Sequence, residues 1–162
     1  MCSLYGFDAY GVDQSSARRD NGRYTFVFAE LSDLKNSEAG ARKFHAITLF
    51  QVLEHLDDPR AVLEALTDLL VVGGILVLET PDCSGITNIV TKDDYYDIHP
   101  LEHINGFTPQ TLRSIAERLG FTQITPPIIH VTGDPLRVAK REIKRVIGRF
   151  LKPTTQLYFR KI

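Results

Sequence analysis

The sequence is poor in the features that mark secreted and membrane proteins. Its 162 residues include no tryptophan and only two cysteines, Cys2 and Cys83, so a disulfide framework is excluded and a reducing cytoplasm is expected. The longest apolar run, residues 69–78, contains two glycines and is too short to cross a bilayer. The first residues carry no basic flank followed by an apolar stretch, so we predict neither a secretory signal nor a transmembrane segment.

Acidic residues are scarce in the last part of the chain. Residues 135–162 contain nine lysines and arginines and a single acid, Glu142, a net charge of +8, while the remainder carries −9. Residues 135–152 fit a basic amphipathic helix with an apolar side. Two interpretations stay open: a helix packed on a sheet with a solvated basic side, or contact with an anionic acceptor or a lipid surface. No nucleic-acid-binding module is recognisable, so nucleic acid is not an expected partner.

Apolar strands alternate with amphipathic helices along the chain. One helix is predicted to begin at Asp58-Pro59 and to end at Gly73-Gly74, and another to run from Thr108-Pro109 to Gly120. Residues 32–43 are polar and are expected to form a loop with a helical turn. Strands are predicted at residues 10–13, 24–31, 44–52, 75–80, 121–129 and 156–162. This alternation predicts one α/β domain over residues 1–162, with a mostly parallel sheet and flanking helices.

Polar residues stand where three of the predicted strands end. They are Asp13, Glu30 and the group Gln51, Glu54 and His55. Parallel sheets bind ligands beyond the carboxyl ends of their strands, so these residues indicate a ligand cleft. The alternative is that the strand ends are polar because the loops that follow are solvated.

In chain order these segments resemble the class I S-adenosylmethionine-dependent methyltransferases, in particular their small-molecule branch. The similar segments are YGFDAYGVDQSS at 5–16, FVFAELSDL at 26–34, FHAITLFQVLEHLDDP at 44–59, LLVVGGILVLETPD at 69–82 and PLEHINGFTPQTLRSIAERLGF at 100–121. The resemblance implies a Rossmann-like fold and methyl transfer from S-adenosylmethionine.

The resemblance also implies which residues bind the cofactor. Asp13 matches the acid that holds the ribose, and a carboxylate can accept from both neighbouring hydroxyls at once. Glu30 matches an acid that accepts from the adenine amino group, while the backbone amide of Leu31 donates to the ring. Phe50 and Gln51 match positions that line the methionine part of the cofactor.

The chain departs from the family at its beginning. The family's first strand and its G-x-G-x-G loop, whose glycines let the backbone approach the cofactor, have no counterpart before Asp13. We interpret the chain as a fragment of a longer protein, the alternative being a natural truncation that binds the cofactor in another way. Without that strand, residues 10–13 are expected to lack a neighbouring strand, and an exposed sheet edge predicts self-association.

Two histidines are the candidate catalytic residues. Methyl transfer from a sulfonium requires alignment of the reactants and, for many acceptors, a base that removes a proton. His55 follows the fourth strand of the family and His103 lies in the loop that resembles its lid. The alternative for His55 is that it anchors its loop through a backbone hydrogen bond.

A metal ion is not predicted. Some relatives bind a divalent metal through the pattern E-x-x-E-H and a later histidine, but Gln51 replaces the first glutamate of that pattern here. Hard cations prefer carboxylate oxygen to an amide, so the replacement removes an important ligand.

The predicted function is S-adenosylmethionine-dependent methyl transfer to oxygen or nitrogen of a small-molecule acceptor, and the basic residues 135–152 would suit an anionic one. Two alternatives remain. A nicotinamide-dependent Rossmann enzyme shares the acid after the second strand but does not explain LEHLDDP or EHINGFT. A non-catalytic remnant or partner-binding subunit is consistent with the missing glycine-rich loop.

Overall fold

The computed structural model describes residues 6–20, 26–85, 90–92, 95, 98, 101–125 and 154–162. These residues belong to two compact units, 1–44 and 45–162. The basic amphipathic helix predicted over residues 135–152 lies outside the described residues, and the single domain expected over residues 1–162 stays a prediction. No helix in the described ranges combines the length and the apolar character that crossing a membrane requires.

The first unit contains two short parallel strands and three short helices. The strands are β1, Tyr10–Val12, and β2, Phe26–Phe28, and the helices are α1, Ser16–Asp20, α2, Leu31–Lys35, and α3, Glu38–Arg42. Val12 pairs with Phe28 in the parallel register. The expectation that residues 10–13 lack a neighbouring strand is therefore wrong, because β2 supplies one.

Local capping explains why this unit departs from the predicted boundaries. Strand β2 ends at Phe28 and not at the predicted Leu31, because helix α2 already begins at Leu31 and Glu30 is its N-cap residue. Ser37 caps α3, since its hydroxyl oxygen accepts from the amide of Gly40. Residues 32–43, expected to form a loop with a helical turn, thus lie mostly in the two helices α2 and α3.

The second unit is built on a four-stranded sheet with the order β3-β4-β6-β5. Its elements are β3, Phe44–Phe50, a 3₁₀ turn, Leu53–His55, α4, Pro59–Leu69, β4, Leu70–Pro81, α5, Pro109–Arg118, β5, Phe121–Ile124, and β6, Thr154–Lys161.

Three of these four strands run in the same direction. β6 is antiparallel both to β4, with Leu78 opposite Leu157, and to β5, with Gln123 opposite Phe159. β3 runs parallel to β4, because His45 near the start of β3 lies beside Gly74, while Gln51 just after β3 donates to the carbonyl of Glu79, five residues further along β4. The sheet is therefore mixed, with only β6 reversed.

The two longer helices begin where the sequence predicts. The Asp58 carboxylate accepts from the amide of Ala61, and the Thr108 hydroxyl accepts from the amide of Thr111, with a proline in the first turn of each helix. Both helices turn an apolar side inward, with these residues buried: Leu63, Leu66, Leu69, Leu112 and Ala116.

The Gly73-Gly74 pair does not end α4, as the sequence analysis expected. The helix ends at Leu69, and the pair lies inside β4. Gly73 has a φ of 79°, and a Cβ on Gly74 would lie 2.8 Å from the carbonyl oxygen of Val71. The glycines are thus needed for a bend and a close backbone approach within the strand.

Candidate functional site

Asp13 lies at the carboxyl end of β1. Its amide donates to the carbonyl of Phe28 over 3.0 Å, which fixes it beside β2. Its Oδ1 accepts from the amide of Ser15 at 2.9 Å, and the Arg19 guanidinium donates to its backbone oxygen at 2.7 Å. The side chain is still 33% exposed, so the carboxylate is held in one orientation and stays reachable from solvent.

Glu30 and Leu31 lie at the carboxyl end of β2. Because β1 and β2 are parallel and Val12 pairs with Phe28, Asp13 and Glu30 leave the same edge of this small sheet. The Glu30 side chain is exposed, and its backbone amide donates to the Asp33 carboxylate at 3.2 Å. The structure therefore brings together the residues to which the sequence assigned the nucleoside part of a cofactor.

Phe50 and Gln51 lie at the carboxyl end of β3, in the second unit. The Phe50 ring is half exposed. Gln51 has a φ of 53°, a left-handed conformation that is uncommon outside glycine, and its amide donates to the carbonyl of Glu79 at 2.8 Å. Its side-chain amide reaches toward the Glu79 carboxylate, with 3.5 Å between Nε2 and Oε1. The tip of β3 is thereby tied to β4.

The 3₁₀ turn Leu53–His55, which follows β3, contains the ionisable residues Glu54 and His55. The Leu53 side chain is fully buried and anchors the turn to the core. The backbone oxygen of Glu54 accepts two hydrogen bonds, from the amides of Ile104 at 2.9 Å and Asn105 at 3.1 Å. A segment about fifty residues downstream is thus attached directly to the turn.

The structure places His55 and His103 side by side. Their ring centroids are 4.8 Å apart, with the ring planes at 72° in an edge-to-face arrangement. Nδ1 of His55 is 2.9 Å from the backbone oxygen of Glu102. A carbonyl oxygen only accepts, so Nδ1 carries the hydrogen and Nε2 of the neutral ring keeps its lone pair. The ring is anchored by a backbone hydrogen bond and still has one basic nitrogen.

Glu54 is the residue of this site whose surroundings the sequence did not reveal. It is only 1% exposed, and neither carboxylate oxygen has a hydrogen-bond partner among the described residues. Burial raises the pKa of the Glu54 carboxyl, and the charge of Glu79 adds to that effect. A backbone amide and the imidazoles of His55 and His103 act in the opposite direction.

Glu54, His55 and His103 form a group that could hold a metal ion. Each offers one ligand atom, and these atoms all lie within 4.8 Å of one another. That no metal is bound stays a prediction.

Comparisons with known proteins place the chain in a family. Residues 1–125 match a family model described as a methyltransferase domain, which covers more than half of the chain. Among curated proteins, none matches the sequence significantly.

Several solved structures share this fold. An S-adenosylmethionine-dependent methyltransferase from Archaeoglobus fulgidus is 20% identical, with a TM-score of 0.57 over 98% of this chain and 77% of that one. The plantazolicin methyltransferase BpumL, in complex with a desmethylPZN analogue and SAH, is 16% identical, with a TM-score of 0.59 over 99% and 69%.

A third similar structure, the [4+2]-cyclase SpnF, is 15% identical, with a TM-score of 0.54 over 94% of this chain and 66% of that one. The name of that protein describes a cyclisation and no methyl transfer. At identities this low the three likenesses establish the fold alone. They confirm the α/β, Rossmann-like arrangement that the sequence predicted.

Proposed function

The chain belongs to the methyltransferase domain family, and from this premise we propose that it transfers the methyl group of S-adenosylmethionine to oxygen or nitrogen of a small-molecule acceptor. The observation that carries the proposal is the pair formed by His55 and His103, in which Nε2 of His55 is available as a base.

The cofactor's nucleoside is assigned to the first unit. The Asp13 carboxylate accepts from the amide of Ser15 through Oδ1, and its Oδ2 lies 3.6 Å from the guanidinium of Arg18. A carboxylate has about four acceptor sites, and this one is 33% exposed, so it can also accept from two ribose hydroxyls. The exposed Glu30 carboxylate would accept from the adenine amino group, and the amide of Leu31 would donate to the ring. Phe50 and Gln51 are assigned to the methionine part, where the exposed Phe50 ring offers an apolar surface.

The protein has to contribute little to the chemical step itself. The sulfonium supplies an activated methyl group, so the reaction is a displacement that depends on alignment and on removal of a proton from the acceptor. His55 is assigned the base role through Nε2, and His103 is the second candidate. The side chains of Val52 and Ile104, which neighbour these residues in sequence, are apolar and exposed and suit an acceptor with apolar parts.

A small-molecule acceptor is favoured by the likeness to BpumL, whose structure contains a small-molecule analogue. The suggestion that the acceptor is anionic depends on residues 135–152, which lie outside the described residues. Self-association and a cytoplasmic location remain part of this proposal.

Calorimetric titration tests the cofactor assignment. We expect S-adenosylmethionine to bind and NAD not to bind, and Asp13→Asn to weaken binding about tenfold, the loss of roughly one charge-assisted hydrogen bond. Asp8→Asn is the matched control, an exposed acid in the same unit, and should bind as the wild type does.

The other outcomes separate the alternatives. Binding of NAD in place of S-adenosylmethionine would identify a nicotinamide-dependent enzyme. Binding of neither compound would support a non-catalytic remnant, and equal binding by Asp13→Asn and the wild type would remove Asp13 from the cofactor site.

A further inference from the structure

Asn105 joins two segments that are far apart in sequence. Its side-chain nitrogen donates to the backbone oxygen of Leu56 at 2.6 Å and lies 3.4 Å from that of Leu53. These partners precede it by 49 and 52 residues. The contacts therefore fix where the downstream segment meets the 3₁₀ turn.

Asn105 binds carbonyls at the end of the turn. The Leu53 oxygen already accepts from the amide of Leu56 at 3.3 Å within the turn, whereas Leu56 follows the turn and its oxygen receives the shorter hydrogen bond from Asn105. A side-chain amide carries two hydrogens on one nitrogen and can approach both oxygens at once. A hydroxyl has one hydrogen, and a carboxylate has none.

The backbone on either side of Asn105 reinforces the attachment. The amides of Ile104 and Asn105 both donate to the oxygen of Glu54, which uses both of its lone pairs. The backbone oxygen of Glu102 accepts from Nδ1 of His55. Residues 102–105 are thus bound to residues 53–56 through both their backbone and their side chains.

His103 lies inside this attached segment, between the two ends that are hydrogen-bonded to the turn. Its distance and angle to His55 are therefore consequences of the attachment. The same holds for the hydrogen on Nδ1 of His55, because the oxygen of Glu102 is presented by that segment. If Asn105 releases the turn, both features of the pair should change.

We infer that Asn105 is a positioning residue, which holds residues 102–105 against the 3₁₀ turn and thereby sets the geometry and the tautomer of the His55–His103 pair. Its importance for the rate rests on the proposed function. Its effect on the imidazoles does not, so the two can be tested separately.

Asn105→Asp is the sharpest variant, because the side chain keeps its size and shape while both hydrogens are lost and a carboxylate faces two carbonyl oxygens. Asn36→Asp is the matched control, an exposed asparagine that follows α2. Long-range ¹⁵N–¹H NMR of the imidazoles, recorded above the pH at which the rings are protonated, reports the tautomer of each histidine.

In the wild type and in Asn36→Asp we expect His55 to be mainly the Nδ1–H form, with nuclear Overhauser contacts between the two rings. In Asn105→Asp we expect a mixture of tautomers and weaker ring contacts. Should the charged variant fail to fold, Asn105→Ala gives the same comparison without the repulsion.

Unchanged tautomer and ring contacts in a folded Asn105 variant, even one with a lower melting temperature, would overturn the inference and leave Asn105 a purely structural residue. Titration of the wild type with S-adenosylmethionine judges the proposed function independently. Its failure would leave the positioning result intact.

Discussion

Glu54 lies in surroundings that are unusual for an acidic side chain. Its carboxyl group is almost completely buried and has no hydrogen-bond partner among the described residues. An ionised carboxylate in such surroundings is costly, so burial favours the protonated form and raises its pKa. The nearby imidazoles of His55 and His103 act against this rise in the pKa of Glu54.

Replacing Glu54 by glutamine is expected to stabilise the protein increasingly as the pH rises. The folded-state pKa lies above the ordinary value of 4.5, so the group's stabilising contribution is complete below that value and is lost as the pH rises through the folded pKa. Glutamine stays neutral and avoids the loss. The melting temperature of Glu54→Gln relative to the wild type should rise by roughly 2–4 °C between about pH 4 and pH 8, about 1 kcal/mol.

Glu117→Gln supplies the comparison, since Glu117 is exposed on α5. Its melting temperature should follow that of the wild type across the same pH range. A Glu54→Gln difference that stays constant or shrinks with rising pH would show that the folded state does not favour the protonated carboxyl.

Helix α4 is held at both ends by side chains. Asp58 caps its beginning. At its other end, the Lys161 ammonium on β6 donates to the backbone oxygens of Thr67 at 2.7 Å and Leu70 at 2.9 Å. These oxygens lie at the negative end of the helix, where a cation is favoured. Lys161 thus fastens the helix to the reversed strand of the sheet.

Lys161→Met should lower the free energy of unfolding by about 1–2 kcal/mol, because two helix-end oxygens lose a charged donor while the apolar stem is kept. The effect is measured as a shift of the denaturation midpoint in urea. Arg160→Met changes the neighbouring, exposed cation on the same strand and should have little effect. Equal losses for the two variants would mean that net charge, and not the contact with α4, is responsible.

The sequence predicted helix starts well because their signals are local. Asp58-Pro59 and Thr108-Pro109 each combine a capping side chain with a proline and act over one turn. The Gly73-Gly74 pair was misread, because two glycines look the same whether they end a helix or allow a bend and a close approach within a strand. The difference depends on strand pairing, which the local sequence does not contain.

For the site too, features with a local sequence signal were predicted, and features that depend on contacts between distant segments were not. The strand-end residues, His55 among them, were identified from polar residues that follow predicted strands, and His103 from the resemblance of its segment to the family's lid loop. The role of Asn105 and the burial of Glu54 depend on contacts across about fifty residues. No pattern within a short window distinguishes an asparagine that binds such a turn from one that faces solvent.

The two compact units have very unequal cores. In the described part of the chain, the buried apolar residues of the first unit are Leu34 and Ala39, whereas fourteen others belong to the second. The strands of the first unit are three residues long, while β4 and β6 pair over seven residues, from Ile75 to Pro81. Since buried apolar surface provides most of the stability, the free energy of local opening should be much lower in the first unit than in the second.

We therefore expect amides of the two units to differ in their rates of native-state hydrogen exchange. Amides of β4 and β6 are expected to be the slowest to exchange, and those of β1 and β2 to exchange at least about tenfold faster through local opening. Saturating S-adenosylmethionine should slow exchange around Asp13 and Leu31, because a ligand that binds only the closed form adds its binding free energy to the cost of opening. NAD at the same concentration is the control and should leave these amides unchanged. Exchange in β1 that is as slow as in β4 without any ligand would show that the small core is stabilised by interactions beyond its own buried residues.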